Sequence, residues 1–240
     1  MAFDGTNYCG WQIQPEAVTI EGVLDKAISD LTNEKIHVIG ASRTDSGVHA
    51  YGAIAVFDTM SLIPAAKFAY ALNARLPEDI RIRKSDEVDI DWHPRKVNVK
   101  KTYEYTLWHD DFEMPNMRLY SHHVYGDLDI EAMQKAADYF VGEHDFVGFC
   151  SAHNQTQTTV RTIYSLNVTT GEDPRIVRIR VVGNGFLYNM VRIIVGTLIE
   201  VGKKKITPDE VPAIIASGDR SLAGDTAPAK GLVLVGYEFE

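Results

Sequence analysis

The chain has 240 residues, 45% of them hydrophobic and 24% charged, with 24 basic residues against 33 acidic ones and a formal net charge of −9. That length and balance suit a soluble globular protein of one large domain or two small ones, able to bury a sizeable core. The acidic total excludes a protein that coats nucleic acid indiscriminately, because such binding rests on neutralising phosphates.

Two cysteines, Cys9 and Cys150, have no metal-ligand spacing and follow no basic-then-apolar leader, so no disulfide framework is expected and the expected compartment is reducing and cytoplasmic. The apolar run from Phe186 to Val201 is broken by Asn189, Arg192 and Glu200, which argues against a membrane span. The sequons at Asn154 and Asn167 are read as chance for the same lack of a secretory route.

In chain order, Thr19 caps a predicted amphipathic helix over Ile20 to Thr32, with Ile20, Val23, Leu24, Ala27, Ile28 and Leu31 on one face. Short apolar runs at Ile36 to Ile39 and Gly52 to Phe57 predict two strands, with ASRTDSGVHA in the loop between them. Pro64 opens a second helical pattern to about Arg75, and Ile80 to Arg83 alternates as a strand. Val99 to His109 alternates too, with Lys101, Tyr103, Tyr105 and Leu107 on one face. Asp129 caps a helix from Ile130 to about Val141, and Val160 to Val168 and Ile176 to Val182 are strands. Phe186 to Val201 reads as a largely buried helix, Thr207, Pro208 and Glu210 as a capping box opening a short helix, and Gly231 to Phe239 as a closing strand. The predicted class is α+β around an antiparallel or mixed sheet, and the loop from Asp86 to Pro94 is the candidate boundary between residues 1–90 and 91–240.

Charge is unevenly spread. The first 34 residues hold six acids against Lys26, whereas Arg175 to Lys205 holds Arg175, Arg178, Arg180, Arg192, Lys203, Lys204 and Lys205 against Glu200 alone. That run is either a patch for phosphates or a solvated face. GTLIEVGKKK is no phosphate loop, because one residue too many separates Gly196 from Gly202. His122, His123, His144 and Asp145 lack a metal-site spacing, so no metal is predicted.

Asp45 differs from the other acids. It stands between Thr44 and Ser46, ahead of Gly47, in a turn where a carboxylate can face a cleft, stay ionised through hydrogen bonds, and act as nucleophile or base beside Arg43. The plain alternative is an Asx turn whose Asp and Arg close the loop. FDGTNYCGWQIQ is expected as a glycine-rich loop that either offers amides to bases or packs core aromatics. The face of Lys101, Tyr103 and Tyr105 either stacks a base or supplies core tyrosines.

FDGTNYCGWQIQ, ASRTDSGVHAYG, WHPRKVNVKKTYEYTLW, GEHDFVGFCS, VRTI, GNGFLYNMVRIIVGTLIEVGKKK and TAPAKGLVL follow one another along nearly the whole chain. Together they resemble the tRNA pseudouridine synthase A family. The resemblance implies isomerisation of uridine in the anticodon arm of tRNA, at the positions conventionally numbered 38 to 40, without cofactor or metal. It implies two halves, each like an RNA-recognition module, with a central cleft, and a homodimer contacting one tRNA.

By position, it implies that Asp45 attacks the uridine and that Arg43 fills the gap left by the flipped nucleotide. It likewise implies that Tyr103 stacks on the target base and that Arg192 pairs with the carboxylate. The basic run, with Arg95, Lys96, Lys100 and Lys101, would then hold the RNA backbone. Two departures accompany it: Ser42 stands where the family usually has glycine, and fewer residues precede the first motif, so the first strand is expected to be short or the start to lie elsewhere. An RNA-binding module without turnover, or a glycosidic hydrolase needing a second carboxylate about 5 to 9 Å from Asp45, are the other functional classes compatible with these residues.

Overall fold

Helix α1 (Ile20–Thr32) forms where its apolar period puts it. The Thr19 hydroxyl accepts from the Gly22 N–H at 3.3 Å, Ile20, Leu24, Ala27 and Ile28 are buried, and Asn33 ends the helix at φ 60°. Asparagine is one of the few side chains that enters this left-handed region at small cost, which is why a helix can stop there without glycine. The computed structural model describes residues 1–151 and 157–239, so the Asn154 sequon lies outside the described residues. The chain forms two compact units, one of Met1–Asn98 with the residues from Leu234 onward, the other of Val99–Val233.

In the first unit, strand β1 (Ala2–Phe3) lies antiparallel between β3 (His49–Ala50) and β5 (Ile80–Arg81), with Phe3 opposite Ala50 and Ile80. A separate ribbon pairs β2 (Ile39–Gly40) with β4 (Ala55–Val56). The strands expected over Ile36–Ile39 and Gly52–Phe57 are therefore shorter than their apolar runs. The reason lies in competing partners: the Ile36 N–H donates to Ser29 Oγ at 3.0 Å and the Val38 N–H to Asp25 Oδ1 at 2.7 Å, so side chains of α1 take the donors a strand would use. At the other end, a Cβ on Gly52 would lie 2.5 Å from the Val235 carbonyl oxygen, a backbone approach only glycine allows. Helix α2 (Ala65–Asn73) buries Phe68, Ala69 and Leu72 and contacts α1.

The second unit is built on four antiparallel strands in the order β6 (Val99–His109), β10 (Ile176–Gly183), β9 (Val160–Thr170) and β8 (Gly142–Asp145), with β7 (His122–Val124) added parallel to β6. Along β10, Val177, Ile179 and Val181 are buried while Arg178 and Arg180 point to the other face, the period-two pattern of a half-buried strand. Tyr105 takes the core alternative: it is fully buried and its hydroxyl donates to the Pro228 carbonyl at 2.7 Å.

Helix α3 (Ile130–Asp138), capped by Asp129 Oδ1 on the Ala132 N–H, buries Met133, Ala136 and Ala137 against β9 and α4 (Met190–Gly202). Each large apolar side chain buried this way contributes roughly 1.5–3 kcal/mol. Helix α4 is buried at every position except Arg192 and Glu200. It starts at Met190 rather than Phe186, because Asn189 sits at φ 62° and breaks the helical path.

Thr207 and Glu210 cap each other's backbone before α5 (Val211–Ser217), and β11 (Leu232–Phe239) closes the chain. The result is an α+β fold with mostly antiparallel strands, in which β7 lies parallel to β6.

Candidate active site

The expected site residues lie two in each unit. Arg43 and Asp45 share a loop of the first, between β2 and β3, and Tyr103 and Arg192 belong to the second.

Glycines and backbone bonds, rather than regular structure, hold the Asp45 loop. The Val48 N–H donates to the Asp45 carbonyl at 3.1 Å around a turn with Gly47 at φ 78°, the type II arrangement that needs glycine at its third position. The N-terminal loop lies against it. The Trp11 N–H donates to the Thr44 carbonyl at 3.0 Å and the Gly47 N–H to the Tyr8 carbonyl at 3.2 Å. A Cβ on Gly10 would meet the Thr44 oxygen at 2.6 Å, and one on Gly5 the Val48 oxygen at 2.0 Å. FDGTNYCGWQIQ is thus the bed of the RTD loop, with Trp11 in the core. The Gly5 N–H also donates to Nδ1 of the buried His49 at 3.0 Å. On this bed the Arg43 side chain is exposed and Asp45 half-buried.

Arg95 sits beside this loop, a placement its position in a basic run did not suggest. Its Nε donates to the Gly40 carbonyl at 2.7 Å, at the end of β2. Burial and the Arg43 guanidinium push its pKa down, while Glu21 and Tyr237 oppose them. Ser42, the departure from the family pattern, lies by the Tyr237 phenol.

In the second unit Tyr103 is largely buried, and its ring meets Phe186 at right angles with centroids 5.3 Å apart. Phe186 is seated over Gly183, where a Cβ would approach its ring to 3.0 Å. Within its unit the Arg192 Nε donates to the Ala227 carbonyl at 2.6 Å and Nη1 to Asn189 Oδ1 at 2.8 Å. Phe186 and Asn189 were not singled out from the sequence, although both lie in FLYNMVR. An asparagine before a helix signals a cap and a phenylalanine signals core, so neither carried a functional sign.

Much of the expected phosphate patch is paired. Arg175 bonds Asp173 at 2.8 Å and Asp110 at 3.3 Å, Arg178 and Arg180 flank Glu104 at 3.7 and 3.3 Å, and Lys205 meets Glu200 at 2.8 Å. Lys96, Lys203 and Lys204 are exposed. Among the described residues no group of three or more His, Cys, Asp or Glu could hold a metal, and no helix is long and apolar enough to cross a membrane.

The family model described as tRNA pseudouridine synthase matches residues 1–95 and 136–240, and the chain belongs to that family. Relatives named tRNA pseudouridine synthase A include one from Acetivibrio thermocellus, 51% identical over 233 residues, and one from Ruminiclostridium cellulolyticum, 52% identical over the same length. Each alignment covers 97% of this chain and 95% of the relative. One from Brevibacillus brevis is 48% identical over 98% of this chain and 95% of its own.

Proposed function

We propose that this chain isomerises uridine to pseudouridine in the anticodon stem-loop of tRNA, at positions 38 to 40. Asp45 is the carboxylate that attacks the uridine and Arg192 the positive charge that keeps it ionised. Tyr103 stacks on the target base, and Arg43 fills the gap left in the RNA stem. The observation that carries this is the RTD loop: a half-buried carboxylate and an exposed arginine on a glycine-fixed turn, in a chain of this family.

The chemistry is an internal exchange. The bond from C1′ to N1 breaks, the uracil turns, a bond from C1′ to C5 forms, and the C5 proton leaves as N1 gains one, so no electrons enter or depart. A uracil inside a stem must first be flipped out, which costs a few kcal/mol and is offset by stacking and gap filling. An exposed Arg43 suits the second task and an aromatic Tyr103 the first. An arginine beside a desolvated carboxylate favours its charged form.

The same proposal includes two RNA-recognition-module-like halves with a cleft for the nucleotide, a homodimer, and residence in the cytoplasm with its tRNA. Support for the halves comes from antiparallel strands with helices in each unit.

The test is to incubate the protein with unmodified tRNA and map pseudouridine by site-resolved chemical probing, with Asp45→Ala as control. Pseudouridine at positions 38 to 40, absent with the variant while tRNA binding stays within a few-fold, is the expected result. Binding without conversion by the unaltered protein would favour the module without turnover. Light scattering on the same sample reads the dimer.

A further inference from the structure

We infer that Asn189 is the positioning residue for Arg192, fixing the plane and direction of its guanidinium for the reaction. The inference rests on the proposed role of Arg192 and adds a residue to it.

Asn189 stands at the N-cap of α4 yet does not cap it. Its side chain makes no bond to the helix backbone, although asparagine is among the best residues for that task. Its backbone lies at φ 62° and ψ 3°, a conformation that glycine would adopt more readily. What the side chain does instead is bridge: Oδ1 accepts from Arg192 Nη1 at 2.8 Å, and Nδ2 donates to Ser151 Oγ at 2.8 Å. The orientation of the amide follows from chemistry. A guanidinium has only donors, so the amide oxygen must face it and the NH2 must face the serine hydroxyl.

The second clamp on Arg192 is just as specifically built. The Ala227 carbonyl accepts from Nε, and the Ala227 N–H donates back to the Arg192 carbonyl at 3.1 Å. The strand of chain bearing Ala227 is pressed onto α4: a Cβ on Gly196 would fall 1.7 Å from the Asp225 oxygen, and the Gly224 N–H donates to the buried Thr197 hydroxyl at 2.9 Å. Bonds at Nε and Nη1 point in different directions from one planar group, so together they set its plane. An arginine is one of only two residues of α4 that are not buried, so its head group is the part of the helix with somewhere else to go.

Asn189→Gly separates positioning from backbone conformation, because glycine keeps the left-handed turn and deletes only the amide. We expect its thermal midpoint to match the unaltered protein and its tRNA affinity to stay within about 3-fold. We expect its single-turnover rate to fall about 10- to 100-fold, the scale of a misplaced catalytic group. In an Arg192→Ala background the same change should do nothing more, because a residue that acts through another shows no effect once that other is gone. Full activity in Asn189→Gly, or an equal further loss on top of Arg192→Ala, overturns the inference.

The NMR signals of the Arg192 guanidinium test it independently of turnover. Hindered rotation in the unaltered protein should give way to averaging in Asn189→Gly, and unchanged signals overturn the inference. Should the unaltered protein form no pseudouridine, the proposed function fails and this readout still decides the role of Asn189.

Discussion

The carbonyl oxygen of Thr44 accepts the Trp11 N–H at 3.0 Å and lies where a Cβ on Gly10 would be only 2.6 Å away. The first motif of the chain is therefore the surface against which the RTD loop is cast, and its glycine is set by that approach as well as by a φ of 82°. Gly10→Ala should destabilise the protein by about 2 kcal/mol, since both the backbone conformation and the contact penalise a methyl group. At temperatures where the variant remains folded, its rate of pseudouridine formation should fall more than its tRNA affinity, because the loop that moves carries Asp45. Urea denaturation and single-turnover kinetics read the two effects. Native stability with native turnover would detach Gly10 from the site.

Tyr103 presents its ring to Phe186 edge to face, a pairing worth about 0.5–1.5 kcal/mol beyond burial. Tyr103→Phe keeps that geometry and the stacking surface, so conversion should stay within a few-fold. Tyr103→Ala removes both and should lose about 5- to 150-fold, since stacking on one aromatic is worth about 1–3 kcal/mol per base. Phe186→Ala should fall between them if the ring of Tyr103 needs its neighbour to stay in place. A large loss in Tyr103→Phe would transfer the role from the ring to the hydroxyl.

Local chemistry made some of this legible in advance. Thr19, Asp129 and the Thr207–Glu210 pair announced their helices because a cap is a contact between residues three apart, and β6 matched its alternating run from Val99 to His109. Elements that compete with distant partners were not legible. Ile36 and Val38 gave their N–H groups to Ser29 and Asp25, so an apolar run that looks like a strand pairs through only Ile39 and Gly40.

At the site, the RTD loop could be named from its residue types, whereas its dependence on Gly5 and Gly10 is a matter of backbone contacts across some 35–45 residues. The sequence shows Arg178 and Arg180 as part of a basic run, and only the register of β6 and β10 reveals Glu104 opposite Arg180. Nor does a sequence display that an asparagine preceding a helix bonds an arginine instead of the helix.

Gly196 offers a case where two effects have opposite signs. It lies inside α4, where replacement of glycine by alanine ordinarily stabilises a helix by about 1 kcal/mol. Here the added Cβ would fall 1.7 Å from the Asp225 oxygen, far inside van der Waals contact, so the helix or the segment from Gly224 to Ala227 must shift. Overpacking a tight core contact costs about 1–3 kcal/mol or more, and it outweighs the helical gain. Gly196→Ala should therefore lower the urea midpoint clearly and, by displacing the Ala227 carbonyl, slow conversion as well. A stabilised variant would show that this segment yields freely and is no rigid support for Arg192.

Alkaline stability follows from the tyrosines. Burial raises Tyr237 to about 12, against the neighbouring Ser42 hydroxyl and the charge of Arg95 that pull it down, and burial pushes Tyr105 higher still. A group whose folded pKa is raised keeps its proton in the native state after the unfolded chain has lost it. Its contribution is complete below the ordinary tyrosine value of about 10 and disappears as the pH climbs towards the folded value. Unfolding free energy should then be flat in this respect up to about pH 9 and fall from about pH 10 to 12. Each such phenol contributes up to about 1.4 kcal/mol per pH unit to the slope. Tyr237→Phe deletes one titrating group, so its slope in that window should be shallower by up to that amount, whatever its stability at neutral pH. Urea denaturation at pH 8, 10 and 11 measures it, and parallel curves for the two proteins would mean that the Tyr237 phenol ionises as freely in the fold as outside it.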